Sequence, residues 1–146
     1  MWDIATKWLR AINPWRERSL GEQGEDLAVS WLKRLGYTII ERQARSKLGE
    51  LDIVALDETE PPRRVLVFVE VRTKSDATHG HPAETVDVEK QRRLTRLAVA
   101  YLKRHRLLGR PARFDVIGII WHQDAPPQID HIRDAFEAVG FDGMYS

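Results

Sequence analysis

The chain has 146 residues, of which 42% are hydrophobic and 31% are charged, and its formal net charge is +1. This length and composition are typical of one globular domain, and the absence of cysteine excludes disulfides, thiolate catalysis and zinc–thiolate sites. No apolar run approaches the roughly 20 residues of a membrane-spanning helix. A cytoplasmic location fits the absence of cysteine, and the N-terminus is not predicted to be a secretory signal, because Asp3, Lys7 and Arg10 interrupt it.

Residues 1–19 are predicted to be an appendage to the domain. Five apolar side chains there would line one face of a short helix: Trp2, Ile4, Trp8, Leu9 and Ile12. Two interpretations stay open, a segment that packs on the domain or frays, and a surface that binds a membrane or a partner protein.

The main domain is predicted over residues 20–136, with a tail over 137–146. Its periodicity predicts two helices, Leu20–Leu35 and Val86–Arg106. Strands are predicted at about Tyr37–Arg45, Glu50–Leu56, Val65–Thr73, Phe114–Trp121 and Ile129–Ile132, and a helical turn is expected after Asp134. This order predicts an α/β fold, a mixed β-sheet flanked by helices. The first three strands would form an antiparallel meander, and the strand after the second helix would lie parallel to an earlier one.

Acidic residues interrupt two otherwise apolar strands. A hairpin centred on Pro61 sets four pairs opposite each other, namely Asp52–Glu70, Glu50–Arg72, Val54–Phe68 and Leu56–Leu66. Strict alternation would then place Glu50, Asp52, Val54 and Leu56 on one face of their strand.

Two opposed carboxylates repel each other unless a proton or a cation lies between them. Their hard oxygen atoms suit Mg²⁺ or Mn²⁺, and Arg72 beside them would stabilise negative charge on a phosphate. The alternative is a Glu50–Arg72 ion pair, with Asp52 and Glu70 at a solvated edge of the sheet.

Glu25 lies just before the apolar stripe of the first helix, so it would lean toward the sheet, although an acid there also suits a helix N-terminus. From Asp87 to Arg113 there are nine Lys or Arg residues against two acids. Lys90, Gln91 and Arg93 lie near the start of this basic helix and are candidates for binding a phosphate backbone. A solvated helix face is the competing interpretation.

Several short motifs occur in a fixed order along the chain. They are Gly21-x-x-Gly-Glu-Asp, Leu35-Gly-Tyr, Gly49-Glu-Leu-Asp-Ile-Val-Ala, Val67-Phe-Val-Glu-Val-Arg, Lys90-x-x-Arg-Leu, Arg113-Phe-Asp-Val and Asp134-Ala-Phe. Together they resemble the YraN-like family of small bacterial proteins, which is assigned to the PD-(D/E)XK nuclease superfamily and is similar to archaeal Holliday-junction resolvases.

The resemblance implies a restriction-endonuclease-like core with Asp52 and Glu70 as metal ligands. It also implies that Glu25 is the helix-one glutamate and that Arg72 stands at the usual lysine position. Lys74, on the same predicted face as Arg72, would be the substitute amine and a further contact to nucleic acid.

The sequence therefore predicts a Mg²⁺- or Mn²⁺-dependent endonuclease that acts on DNA, with branched DNA among its candidate substrates. Glu25, Asp52, Glu70 and Arg72 would be its catalytic residues, and a homodimer is expected by analogy with resolvases. One alternative is an inactive nuclease-fold module that binds DNA. Another is a protein-interaction adaptor that uses the Trp-rich N-terminus.

Overall fold

The computed structural model describes residues 19–75 and 86–140. Its elements in chain order are α1 (Leu20–Leu35), β1 (Tyr37–Ser46), β2 (Gly49–Asp57), β3 (Val65–Lys74), α2 (Val88–Arg104), β4 (Ala112–Ile120) and β5 (Gln128–Phe136). The predictions for the N-terminal segment and for the end of the tail lie outside the described residues, and the domain boundaries stay predictions. No helix in the described ranges is both long enough and apolar enough to cross a membrane.

One five-stranded sheet organises the fold, with the strands in the order β1-β2-β3-β4-β5. β3 and β4 are parallel, and the other neighbouring strands are antiparallel. The connection from β3 to β4 runs through α2, because parallel neighbours need a long crossover. The predicted mixed α/β sheet, its meander and its parallel pair are confirmed, and the arrangement is compatible with a restriction-endonuclease-like core.

Each face of the sheet has its own hydrophobic core. The first is formed with α1 and includes Ala28, Leu32, Ile53, Val67 and Ile117. The second is formed with α2 and includes Phe68, Leu94, Leu97, Leu102 and Phe114. Because both faces are covered, a carboxylate in the middle of a strand loses most of its contact with water.

The close approach of α1 to the sheet depends on Gly24. A Cβ added there would clash with Cγ2 of Thr73 on β3. The helix begins at the N-cap Ser19, whose side chain accepts a hydrogen bond from Glu22 N, and ends at Gly36 with a φ of 99°. Since Glu25 follows Gly24 directly, the same close contact brings its carboxylate to the sheet.

The predicted hairpin register is confirmed over the part that is paired. Val54 lies opposite Phe68, and the ladder between β2 and β3 ends at the pair Ile53–Val69. The strict alternation predicted before that point is wrong, because Leu51 and Val54 pack in the same core. The side-chain direction therefore changes across Asp52, where the two strands stop pairing.

β5 is longer than predicted. It continues to Phe136, whose ring stacks on Phe114 with 4.5 Å between the ring centroids. The expected helical turn after Asp134 is therefore wrong. A register shift between Phe114 and Val116, together with the positive φ of 51° at Asp134, lets the strand continue past an irregular position.

Candidate functional site

Asp52 and Glu70 lie side by side where β2 and β3 separate. Beyond the last ladder pair, Val71 N donates a hydrogen bond of 2.9 Å to Oδ2 of Asp52. Burial of Asp52 and the negative charge of Glu70 raise the pKa of Asp52 from its ordinary 3.8 to about 7. The bond from Val71 favours the ionised form but does not offset these two effects. The structure therefore brings the two predicted acids together in a partly desolvated place.

Two cations face the Glu70 carboxylate, whose side chain is 9% exposed. Lys90 Nζ, from the first turn of α2, lies 3.0 Å from Glu70 Oε1, and Arg72 NH1 lies 4.0 Å from the same atom. The alternative Glu50–Arg72 ion pair is not what the structure shows, because Glu50 Oε2 instead pairs with Arg45 Nε at 2.9 Å. The Glu70 carboxylate thus lies beside two basic side chains.

Glu25 lies in the same cleft as Asp52. This cleft has a volume of about 220 Å³, and Gln43 and Thr73 also line it. The charge of Glu25 contributes to the raised pKa of Asp52, after burial and Glu70. The helix-one acid therefore faces the sheet at the acid pair rather than acting only on the helix dipole.

Arg42 and Gln43 on β1 hold the Glu25 carboxylate, and sequence reasoning missed both. Arg42 Nε donates to Glu25 Oε1 at 3.1 Å, and Gln43 Nε2 donates to Glu25 Oε2 at 3.3 Å. Gln43 has a φ of 50°, which turns its side chain out of the regular strand alternation. Glutamine carries no sequence signal for this conformation, so the contact could not be read from the chain.

A basic groove of about 550 Å³ runs along the start of α2. It is lined by Asp87, Glu89, Lys90, Arg92, Arg93 and Arg96. Of the predicted nucleic-acid contacts, Lys90 and Arg93 therefore lie together. Gln91 is engaged within the helix start, where its Nε2 donates to Val86 O at 3.0 Å. Lys74 lies at the end of β3, and its carbonyl oxygen accepts a hydrogen bond from Trp121 N.

A second polar cluster surrounds Asp115, which is fully buried. Arg113 Nε lies 2.9 Å from its Oδ1, and His131 Nε2 lies 2.8 Å from its Oδ2. Because His131 Nδ1 accepts a hydrogen bond from the indole of Trp31, the ring hydrogen is on Nε2. His131 Nε2 therefore donates a hydrogen bond to Asp115. These bonds lower the pKa of Asp115 despite its burial. Asp115 and Arg113 therefore form an ion pair inside this cluster, and the role of Asp115 is structural.

Comparison with known proteins places the chain in a family. Residues 24–119 match the description "Uncharacterised protein family UPF0102". A UPF0102 protein of Rhodopirellula baltica is 44% identical over 86% of this chain and 75% of its own length. Similar proteins occur in Geotalea uraniireducens, with 46% identity over 82% of this chain and 91% of the relative, and in Geobacter sulfurreducens, with 47% identity over 81% and 88%. The chain therefore belongs to the uncharacterised protein family UPF0102, the YraN-like family that its ordered motifs resemble.

Proposed function

We propose that this protein is a divalent-metal-dependent endonuclease that hydrolyses phosphodiester bonds of DNA in the cytoplasm. The observation that carries the proposal is the side-by-side placement of Asp52 and Glu70 at the opening between two strands. Two carboxylates held together away from water lose hydration and repel each other, which destabilises the folded protein. A cation bound by both would offset this cost.

The donor chemistry of the pair fits Mg²⁺ or Mn²⁺. Both ions prefer carboxylate oxygens, and burial together with the charge of Glu70 raises the pKa of Asp52, an effect that a bound cation would oppose. Within residues 19–75 and 86–140, no three or more Asp, Glu or His side chains form a group that could hold a metal. Because Mg²⁺ is commonly held by one or two carboxylates together with waters and substrate phosphates, Asp52 and Glu70 would suffice as protein ligands, and the bound ion would act as a Lewis acid on the phosphate.

The remaining side chains have separable roles. Arg72, close to Glu70, would stabilise the negative charge that develops on the phosphate, since a guanidinium keeps its proton at all working pH values. Glu25, held by Arg42 and Gln43, would orient groups in the cleft beside Asp52. Lys74, Lys90, Gln91 and Arg93 are proposed to contact the DNA backbone.

The basic groove begins next to the acid pair, because Lys90 both lines the groove and contacts Glu70. A phosphate backbone lying along the groove would therefore pass the carboxylates. Branched DNA and a homodimer belong to the proposal by analogy with resolvases, and sedimentation of the protein with a four-way junction measures both. Electrostatic binding of this kind weakens steeply as salt is raised.

Two measurements test the proposal. We expect Mg²⁺-dependent cleavage of branched or linear DNA and calorimetric binding of Mn²⁺, and we expect both to be lost in Asp52→Asn and Glu70→Gln. Glu50→Gln is the matched control, since Glu50 lies on the same strand but pairs with Arg45. Cleavage that persists in both Asp52→Asn and Glu70→Gln would refute the assignment.

A second candidate is a nuclease-fold module that binds DNA without cutting it. Arg72 at the usual lysine position favours this candidate, since a guanidinium cannot act as a neutral amine. It predicts salt-sensitive DNA binding that is equal in EDTA and in Mg²⁺, with no cleavage. Failure to bind DNA at low salt would exclude this candidate.

A further inference from the structure

Lys90 connects the acid pair to the basic groove. Its ammonium lies 3.0 Å from Glu70 Oε1, while its side chain is 24% exposed and lines the groove with Arg93 and Arg96. Among the described residues, Lys90 alone both pairs with Glu70 and lines this groove. The same charge is thus within reach of a carboxylate and of any phosphate bound beside it.

The backbone of Lys90 is held at the start of α2, and its side chain is partly exposed. The N-cap Asp87 accepts a hydrogen bond of 2.8 Å from Lys90 N, and the neighbouring Gln91 is bonded to Val86 O. The lysine side chain is a flexible four-carbon stem with a compact charge, so its ammonium has several positions available from one Cα. A held backbone and a partly exposed charge suit a group that exchanges partners.

A divalent cation and the Lys90 ammonium compete for Glu70. Both need an oxygen of that carboxylate, and two cations at one oxygen repel each other. Arg72 is less of a competitor, because its NH1 lies at 4.0 Å and not at hydrogen-bond distance. Lys90 is therefore the cation that a divalent ion at Glu70 opposes most directly.

We propose that Lys90 is a positioning residue that links the binding of metal to the binding of DNA. It balances Glu70 when no divalent ion is present and moves to a backbone phosphate in the groove when the ion takes its place. By linkage, metal then strengthens DNA binding and DNA strengthens metal binding by the same factor. This inference rests on the proposed function, since it needs the acid pair to bind a cation.

The first test measures Mn²⁺ binding without DNA by calorimetry. Removing a competing charge at this distance changes affinity by about tenfold, so we expect Lys90→Gln to bind Mn²⁺ about tenfold more tightly than wild type. Lys90→Arg keeps the charge and should remain within about threefold of wild type. Arg96→Gln, which removes a groove cation that is not among the proposed DNA contacts and does not pair with Glu70, should leave Mn²⁺ affinity unchanged.

The second test measures binding of a short DNA duplex in EDTA and in Ca²⁺. We expect Ca²⁺ to raise the DNA affinity of wild type and of Arg96→Gln by a similar factor, and to have little effect in Lys90→Gln. Equal Mn²⁺ affinity in wild type and Lys90→Gln would overturn the exchange while leaving the endonuclease proposal intact. If wild type binds no Mn²⁺ at all, the proposed function itself fails, and the exchange with it.

Discussion

Replacing Asp52 by asparagine should stabilise the protein at alkaline pH while it removes the candidate metal ligand. The substitution keeps the size of the side chain and leaves an oxygen that can accept the hydrogen bond from Val71 N. It removes the negative charge that is buried beside Glu70. The expected gain in folding stability therefore depends on pH, and its sign follows from the raised pKa.

In the folded protein the pKa of Asp52 is about 7, against an ordinary value of 3.8. Below pH 3.8 the carboxyl is protonated in both states, so its burial has no ionisation cost. Between these values the folded state holds a proton that the unfolded chain has lost, and stability falls as pH rises. At about 1.4 kcal/mol for each pH unit, the cost reaches up to about 4 kcal/mol above pH 7.

The assay is urea unfolding of wild type and Asp52→Asn from pH 4 to pH 8. We expect the free energies of unfolding to be nearly equal at pH 4 and to differ by up to about 4 kcal/mol at pH 8, with the variant more stable. Glu50→Gln, an exposed neighbour on the same strand, should change stability by less than about 1 kcal/mol throughout. A difference between Asp52→Asn and wild type that is the same at both ends of the range would refute the burial of a charged pair.

Three further substitutions test other parts of the structure. Hydrogen bonds from Thr59 and Arg113 outweigh burial and lower the pKa of Asp57 to about 2. Asp57→Asn should therefore lower the free energy of unfolding by about 2 kcal/mol at pH 7, and this difference should disappear as pH falls from 3.8 toward 2. Urea unfolding of wild type and variant at pH 7 and near pH 2 measures it. Gly24→Ala should cost about 1–3 kcal/mol in the same assay, because the new methyl group meets the side chain opposite it on β3; an unchanged midpoint would contradict the close helix–sheet contact. Asp115→Asn should cost about 3 kcal/mol, since it removes one of the two buried carboxylates that pair with Arg113 and leaves only Asp57, and a drop of only a degree or two in the thermal midpoint would show that the cluster contributes little.

Local patterns were enough to predict most of the fold. The apolar stripe and terminal Gly36 indicate α1, and the alternating or continuous apolar runs indicate the strands, because these signals arise within a few neighbouring residues. The pairing Val54–Phe68 follows from matching apolar side chains around one turn. The end of β5 was missed, since Phe136 is held in the strand by stacking on Phe114, far away in the chain.

The candidate site likewise combines features that local sequence patterns predict with contacts that they do not predict. Sequence patterns alone predict which acids stand in apolar strands and that Asp52 and Glu70 come near each other once the hairpin forms. The ion pair between Lys90 and Glu70 and the hydrogen bonds from Arg42 and Gln43 to Glu25 are visible only in the folded protein. These contacts join a helix to a strand, or one strand to another element. Their formation depends on how closely the helix and sheet layers pack and on the left-handed backbone conformation of Gln43. Neither feature leaves a periodic pattern in the sequence.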